Sequence, residues 1–132
     1  MRARISALLL WLAAALLTFD GVMHGILWGA SGVRTIQGAG FPAQFALDLR
    51  VLWIADIVNL LAAAGVCALA AWSPRFAAPP VLMIVALIPL ALAVLLFAGH
   101  SVWWVPAMQL AAASLVVAGA ALRVGVSAPP SA

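Results

Sequence analysis

Apolar residues in this chain gather into four stretches of about 18–24 residues, near the ~20 that a helix needs to cross the hydrocarbon of a bilayer. They cover residues 5–28, 49–72, 81–98 and 102–122. Turn signals separate them. Residues 29–41 are Gly-rich and contain Ser31-Gly32 and Gly38-Ala39-Gly40, which predicts a longer connection between the first two spans. Pro42 suits a first helical turn, so residues 42–49 form either a short interfacial helix or an extension of the second span. Ser73-Pro74-Arg75 and Pro79-Pro80 predict a short turn, and Gly99-His100-Ser101 a tight one. Pro89 falls within the third span, where proline is tolerated but bends the helix. The Pro/Ser/Ala-rich residues 124–132 predict a disordered tail, which leaves 1–123 as a single domain. The expected fold is all-α, an integral membrane four-helix bundle in which the short second and third connections make neighbours antiparallel.

Composition agrees. Of the 132 residues, 68% are hydrophobic and 7% charged, against about 45–50% and about 25% in soluble domains. There is no Lys, Glu or Tyr, so every cation is Arg or His and every acid is Asp. The net charge of +3 comes from six basic and three acidic residues; with no basic stripe, nucleic-acid binding is excluded. Cys67 has no intrachain partner for a disulfide and reads as a small packing residue. Arg2 and Arg4 ahead of an apolar run imitate a signal peptide. No convincing cleavage site follows and the helical pattern continues to Trp28, so this segment is expected to stay as span one.

Arginine placement orients the bundle. Arg2, Arg4, Arg75 and Arg123 collect on the side of both termini, whereas the other side has Arg34 and Arg50, offset by Asp48. The positive-inside rule then places both termini in the cytoplasm, in the cytoplasmic (inner) membrane of a bacterial host. Trp28, Trp53, Trp103 and Trp104 line up near the outer boundary as an aromatic belt, and Trp72 marks the inner one.

The polar residues within the spans gather in the outer half. A charge in hydrocarbon costs roughly 2.5–3.5 kcal/mol on insertion scales, so such residues must pair, line a cavity or do chemistry. Asp20 lies ~12 Å inward from Trp28, and Asp56 is similarly deep relative to Asp48; Gln109 matches them on span four. Asp20 and His24 are spaced i, i+4 and share a helix face, where a carboxylate would orient the imidazole. Asp56 and Asn59 share a face, with Trp53 one turn above. Arg50 is expected either to snorkel to headgroups or to neutralise Asp56, Asp20 or an anionic ligand. Gly21, Gly25 and Gly29 form a small-residue ridge on which a helix, of this chain or another, can pack closely. No HExxH, CxxC, P-loop or Gly-x-Ser-x-Gly occurs. No spacing demands a metal; His24 and His100 are the residues that a zinc, iron or copper ion, or a haem, would have to use.

The layout resembles the DoxX-like group of small bacterial four-helix membrane proteins. The resemblance covers nearly the whole chain and rests on Asp48-Leu49-Arg50-Val51-Leu52-Trp53-Ile54-Ala55-Asp56 and on Gly99-His100 leading into Trp103-Trp104-Val105-Pro106. Some members of that group look like subunits of quinone-linked oxidoreductases, which implies a partner-dependent role and carries over no catalytic residue. A small multidrug-transporter plan fits poorly, because those proteins centre on a first-helix glutamate and this chain has no Glu.

Three functions follow as expectations. The leading one is an outward-facing polar pocket lined by Asp20, His24, Arg50, Trp53, Asp56, Asn59, His100 and Gln109, with residues 29–41 as a lid. It would bind an amphipathic molecule such as a quinone, lipid or pigment. The second is an accessory subunit that docks through the glycine ridge onto another copy or a larger membrane complex. The third is an acid/base isomerase or oxidoreductase, disfavoured because the sequence has no identifiable nucleophile or cofactor motif. No particular cofactor is indicated.

Overall fold

Leu- and Ala-rich stretches combine high helix propensity with side chains that hydrocarbon accepts, and the chain folds accordingly as helices. The structure, a computed structural model, describes residues 1–99 and 103–124. Helix α1 (Arg2–Leu27) passes through a π-helical turn (Trp28–Gly32) into the short α2 (Val33–Gly38). Then come α3 (Ala43–Trp72), α4 (Pro79–Gly99) and α5 (Trp104–Val124). Four helical stretches are long and apolar enough to span a membrane: Arg2–Gly38, Ala43–Trp72, Pro79–Ala98 and Trp104–Val124. His100 and residues 125–132, most of the predicted tail, lie outside the described residues.

One expectation is corrected. Residues 29–38 are helical, not loop: the switch to wider π spacing keeps the backbone bonded through Gly29 and Gly32, and the turn is confined to the residues around Gly40 (φ 66°). The segment predicted as a lid is therefore a helical extension of α1. Of the two alternatives for residues 42–49, the extension of the second span is the one realised: residues 43–49 belong to one continuous α3 of 30 residues, with Pro42 as its N-cap. At ~45 Å this helix is longer than the ~30 Å of hydrocarbon that a span has to cross. Prolines sit where their missing N–H is tolerated: Pro79 and Pro80 open α4, and Pro106 lies in the first turn of α5. Pro89 is the exception, buried within a helix that continues past it.

Helix α1 packs between α3 and α5, α5 packs on α4, and α3 touches α4 only lightly. The core is built of small side chains (Ala13, Ala63, Ala70, Ala112 and Ala120) around Leu10, Leu17, Leu60, Leu82 and Val116. Large apolar residues such as Leu8, Leu52, Ile84 and Leu95 point outward. This inversion of a soluble core suits hydrocarbon, where helices gain by close approach rather than by hiding leucines.

The glycines report where that approach is closest. At Gly119 an added Cβ would sit 2.9 Å from Leu10 Cγ and 3.5 Å from the Ser6 carbonyl. At Gly21 it would meet Leu61 at 3.1 Å, but Leu61 is partly exposed and can turn away. Gly25 and Gly29 would meet nothing within 4 Å. Within the chain the glycine ridge is therefore a packing site at Gly21 alone, and the tightest seam, α1 on α5, is set by Gly119. Gly119→Val should lower stability by about 1–3 kcal/mol through overpacking against the fully buried Leu10, whereas Gly25→Leu should change it by less than about 0.5 kcal/mol. Thermal unfolding in detergent measures both.

Candidate functional site

At the end of the bundle away from the chain termini, α1 presents Asp20 and His24 one turn apart on the side facing α3 and α5. Asp20 is buried, and Gln109 Nε2 of α5, itself only 1% exposed, donates a hydrogen bond to Asp20 Oδ2. His24 Nδ1 lies 3.4 Å from Asp20 Oδ1 and 3.2 Å from the Asp20 carbonyl oxygen. His24 Nε2 lies 3.5 Å from Asp56 Oδ2 on α3. The imidazole thus stands between two carboxylates, one on its own helix and one on a neighbour. Trp53 Nε1 donates to the His24 carbonyl (3.1 Å), in the last turn of α1 just before the π turn. Its indole stands at 57° to the imidazole, with centroids 6.0 Å apart.

The cluster is closed on one side and open on the other. The side chain of Asp20 is 5% exposed, while His24 and Asp56 are 23% and 24% exposed. Both carboxylate–imidazole separations exceed the ~2.7–3.2 Å of a good hydrogen bond, so the pairing is electrostatic and leaves donor and acceptor capacity free. One imidazole cannot neutralise two carboxylates; fully ionised, the trio carries a net negative charge and is one proton or one donor short. Gln109 Oε1 is buried with no hydrogen-bond partner among the described residues.

The other candidate residues divide. Trp53, Asp56 and Gln109 join Asp20 and His24, realising the equal depths read from the sequence as contacts. Asn59 does not join: although it follows Asp56 by three residues, it lies on the exposed face of α3. Arg50 makes no ion pair with Asp20 or Asp56, and its Nε is buried without a partner among the described residues. Asp48 instead accepts from Gln44 Nε2 (3.0 Å). His100 lies outside the described residues. No group of three or more His, Cys, Asp or Glu side chains among the described residues is arranged to hold a metal ion.

Two grooves run along the outer surface, apart from this cluster. One, between α1 and α3, has a volume of about 590 Å³ and includes Trp11, Thr18, Leu61 and Gly65 in its lining. The other, between α4 and α5, has about 420 Å³ and includes Leu87, Leu110 and Ser114. Thr18 and Ser114 are their only side chains with a hydroxyl, so these surfaces suit acyl chains rather than polar chemistry.

Sequence reasoning missed a second polar node, at the end carrying the termini. Ser6 Oγ donates to the Gly119 carbonyl (2.7 Å) and accepts from Arg123 Nε (3.0 Å). Ser6, a hydroxyl at the start of an apolar run and two residues after Arg4, was the available signal.

Comparison of the chain with protein-family models, with curated proteins and with solved structures finds no match.

Gln109→Leu should leave the Asp20 carboxylate without its buried amide donor and cost about 1–2 kcal/mol, between the mean for interhelical hydrogen bonds in membranes and that for charged ones in water. Asn59→Leu, on the exposed face, should cost nothing measurable. Melting temperatures of the two variants in the same detergent separate the outcomes.

Proposed function

We propose that this chain is an integral protein of the cytoplasmic membrane, with both termini in the cytoplasm. In this reading, the Asp20–His24–Asp56 cluster holds the polar head of an amphipathic small molecule near the outer surface. The observation that carries this reading is the imidazole standing 3.4 and 3.5 Å from two carboxylates, about a quarter exposed. Among the described residues such a site is short of one donor, and its imidazole and the Asp56 carboxylate are partly open to the surroundings. It suits a head bearing a hydroxyl, as a quinol or an amphipathic alcohol does, with its tail in the surrounding lipid. Asp56 and His24 form the contact surface, Asp20 and Gln109 hold the imidazole from behind, and Trp53 walls one side. A quinone-class ligand also agrees with the role implied by the DoxX-like resemblance.

Native mass spectrometry of the protein gently extracted from its own membrane tests this. A stoichiometric small molecule is expected on the native chain and should be lost in Asp56→Ala. Because Asp56 is partly exposed and its removal strands no buried donor, the variant should keep its helical content. Retention of the same molecule by folded Asp56→Ala would refute the proposal.

A second reading is favoured by one specific observation: Gly25 and Gly29 have open space where a Cβ would be. A bare strip on α1 and the π turn can receive a helix of another copy or of a larger complex. Under this reading Gly25→Leu should shift the protein to a smaller assembly in size-exclusion chromatography with light scattering, with its melting temperature unchanged. An unaltered mass would dismiss it.

A further inference from the structure

The end of the bundle where α1 begins and α5 ends has a cation and, among the described residues, no anion to go with it. Arg123, in the last turn of α5, is half-buried and reaches across three other elements. Its Nε donates to Ser6 Oγ of α1 (3.0 Å), Nη2 to the Ala70 carbonyl of α3 (2.6 Å), and Nη1 to the Ala77 carbonyl in the turn before α4 (3.4 Å). The Ala70 carbonyl belongs to the last turn of α3, whose acceptors lack partners within the helix, so Arg123 caps α3 from a neighbouring helix. These bonds satisfy the geometry of the guanidinium without neutralising its charge, and they do not exhaust its donors. Its three partners are a hydroxyl and two carbonyls, all uncharged.

No side-chain carboxylate can supply the missing charge. The acids of this chain are Asp20, Asp48 and Asp56, all in the other half. Asp20 lies 14 residues beyond Ser6, about 21 Å along α1, beyond the reach of an ion pair. The same end adds the exposed Arg2, Arg4 and Arg75. Arg123 also lines a cleft of about 150 Å³ with Ala3, Ala7, Ala71, Pro74 and Ala77. This is below the ~300–1,000 Å³ of sites for drug-sized ligands, and of a size for a compact headgroup rather than a whole amphiphile. The other lining residues are alanines, prolines and Leu122, so Arg123 is the charged group a bound molecule would meet inside it.

We infer that this cleft is a phosphate site, in which Arg123 binds the phosphodiester of an anionic lipid while Arg2, Arg4 and Arg75 attract it from the rim. The guanidinium fork matches phosphate oxygens, and its fixing by Ser6 and two backbone carbonyls means little entropy is lost on binding. Arginine clusters at the membrane surface draw anionic headgroups in the same way.

The test is titration of the purified protein, in a neutral detergent, with phosphatidylglycerol, phosphatidylcholine and inorganic phosphate, read by native mass spectrometry and melting temperature. One phosphatidylglycerol per chain should be retained in preference to phosphatidylcholine, and should raise the melting temperature. Arg123→Gln should weaken retention by about tenfold or more, the factor carried by one charge-assisted hydrogen bond. Because Arg123 also caps α3, a second variant guards against misfolding. Ala3→Phe obstructs the cleft from its exposed wall and leaves every bond of Arg123 in place; it should reduce retention with the lipid-free melting temperature unchanged. Displacement of the lipid by inorganic phosphate, with equal stabilisation, would make free phosphate the source of the same chemistry. Inert inorganic phosphate would make the lipid the source. Equal retention of both lipids, indifferent to Ala3→Phe, would overturn the inference.

Discussion

A carboxylate buried against apolar helices must be answered from within the protein, and Asp20 is answered twice. Gln109 reaches it from α5 and His24 from the next turn of α1. His24 in turn faces Asp56 on α3. One costly charge thus sets the relative height and rotation of three helices, because sliding or turning any of them by a residue would strand a buried polar group. The rest of the bundle is compatible with many registers. Its core of alanines and leucines is smooth, and small apolar side chains discriminate poorly between neighbouring alignments. Polar contacts at this end, and Ser6 with Gly119 at the other, supply the discrimination.

The two polar nodes are built on opposite chemistry. At the histidine end, negative charge exceeds positive and the cluster opens over about a quarter of its imidazole and of one carboxylate. At the arginine end, a guanidinium is held by three uncharged acceptors, keeps donors to spare and lines a small cleft. In the readings proposed above, the first receives a hydrogen-bond donor and the second an anion. Between them α1 presents only apolar side chains to the core, including Leu10, Ala13, Ala14 and Leu17, so no chain of polar side chains links the two along this helix. The protein is organised as two separate sites on one scaffold rather than as a conduit along α1.

The turn from α-helical to π-helical spacing just past His24 continues the helix where a Gly-rich loop was expected. Gly29 and Gly32 disfavour helix by propensity, yet the chain continues as helix through Gly38. Propensity is a weak prior worth about 1 kcal/mol per glycine, and a buried Ile36 together with the contacts of α2 on α3 offsets it. The backbone beside the histidine cluster is thereby held, and Trp53 ties its last α-helical carbonyls to α3.

Hydropathy alone determined the class of this protein: four apolar runs of membrane length, separated by proline and glycine, leave little choice but four helices. Depth was legible too, because rise per residue is constant and Asp20, Asp56 and Gln109 could be ranked along their helices before any contact was known. Rotation was less secure. The spacing of Asp56 and Asn59 suggested one face, but three residues turn a helix by only about 300°, and that offset carries Asn59 out to the exposed surface while Asp56 stays inside. Partnership was not legible at all for Arg123, Ser6 and Gly119, since nothing local in a sequence says that residues more than a hundred positions apart will meet. The glycine ridge illustrates the same limit: three equivalent glycines by spacing become one packing residue and two bare ones, because only the crossing point of α1 and α3 brings a neighbour close. Periodicity and composition act along one chain segment, whereas which faces meet depends on how four smooth helices satisfy a handful of buried polar groups at once.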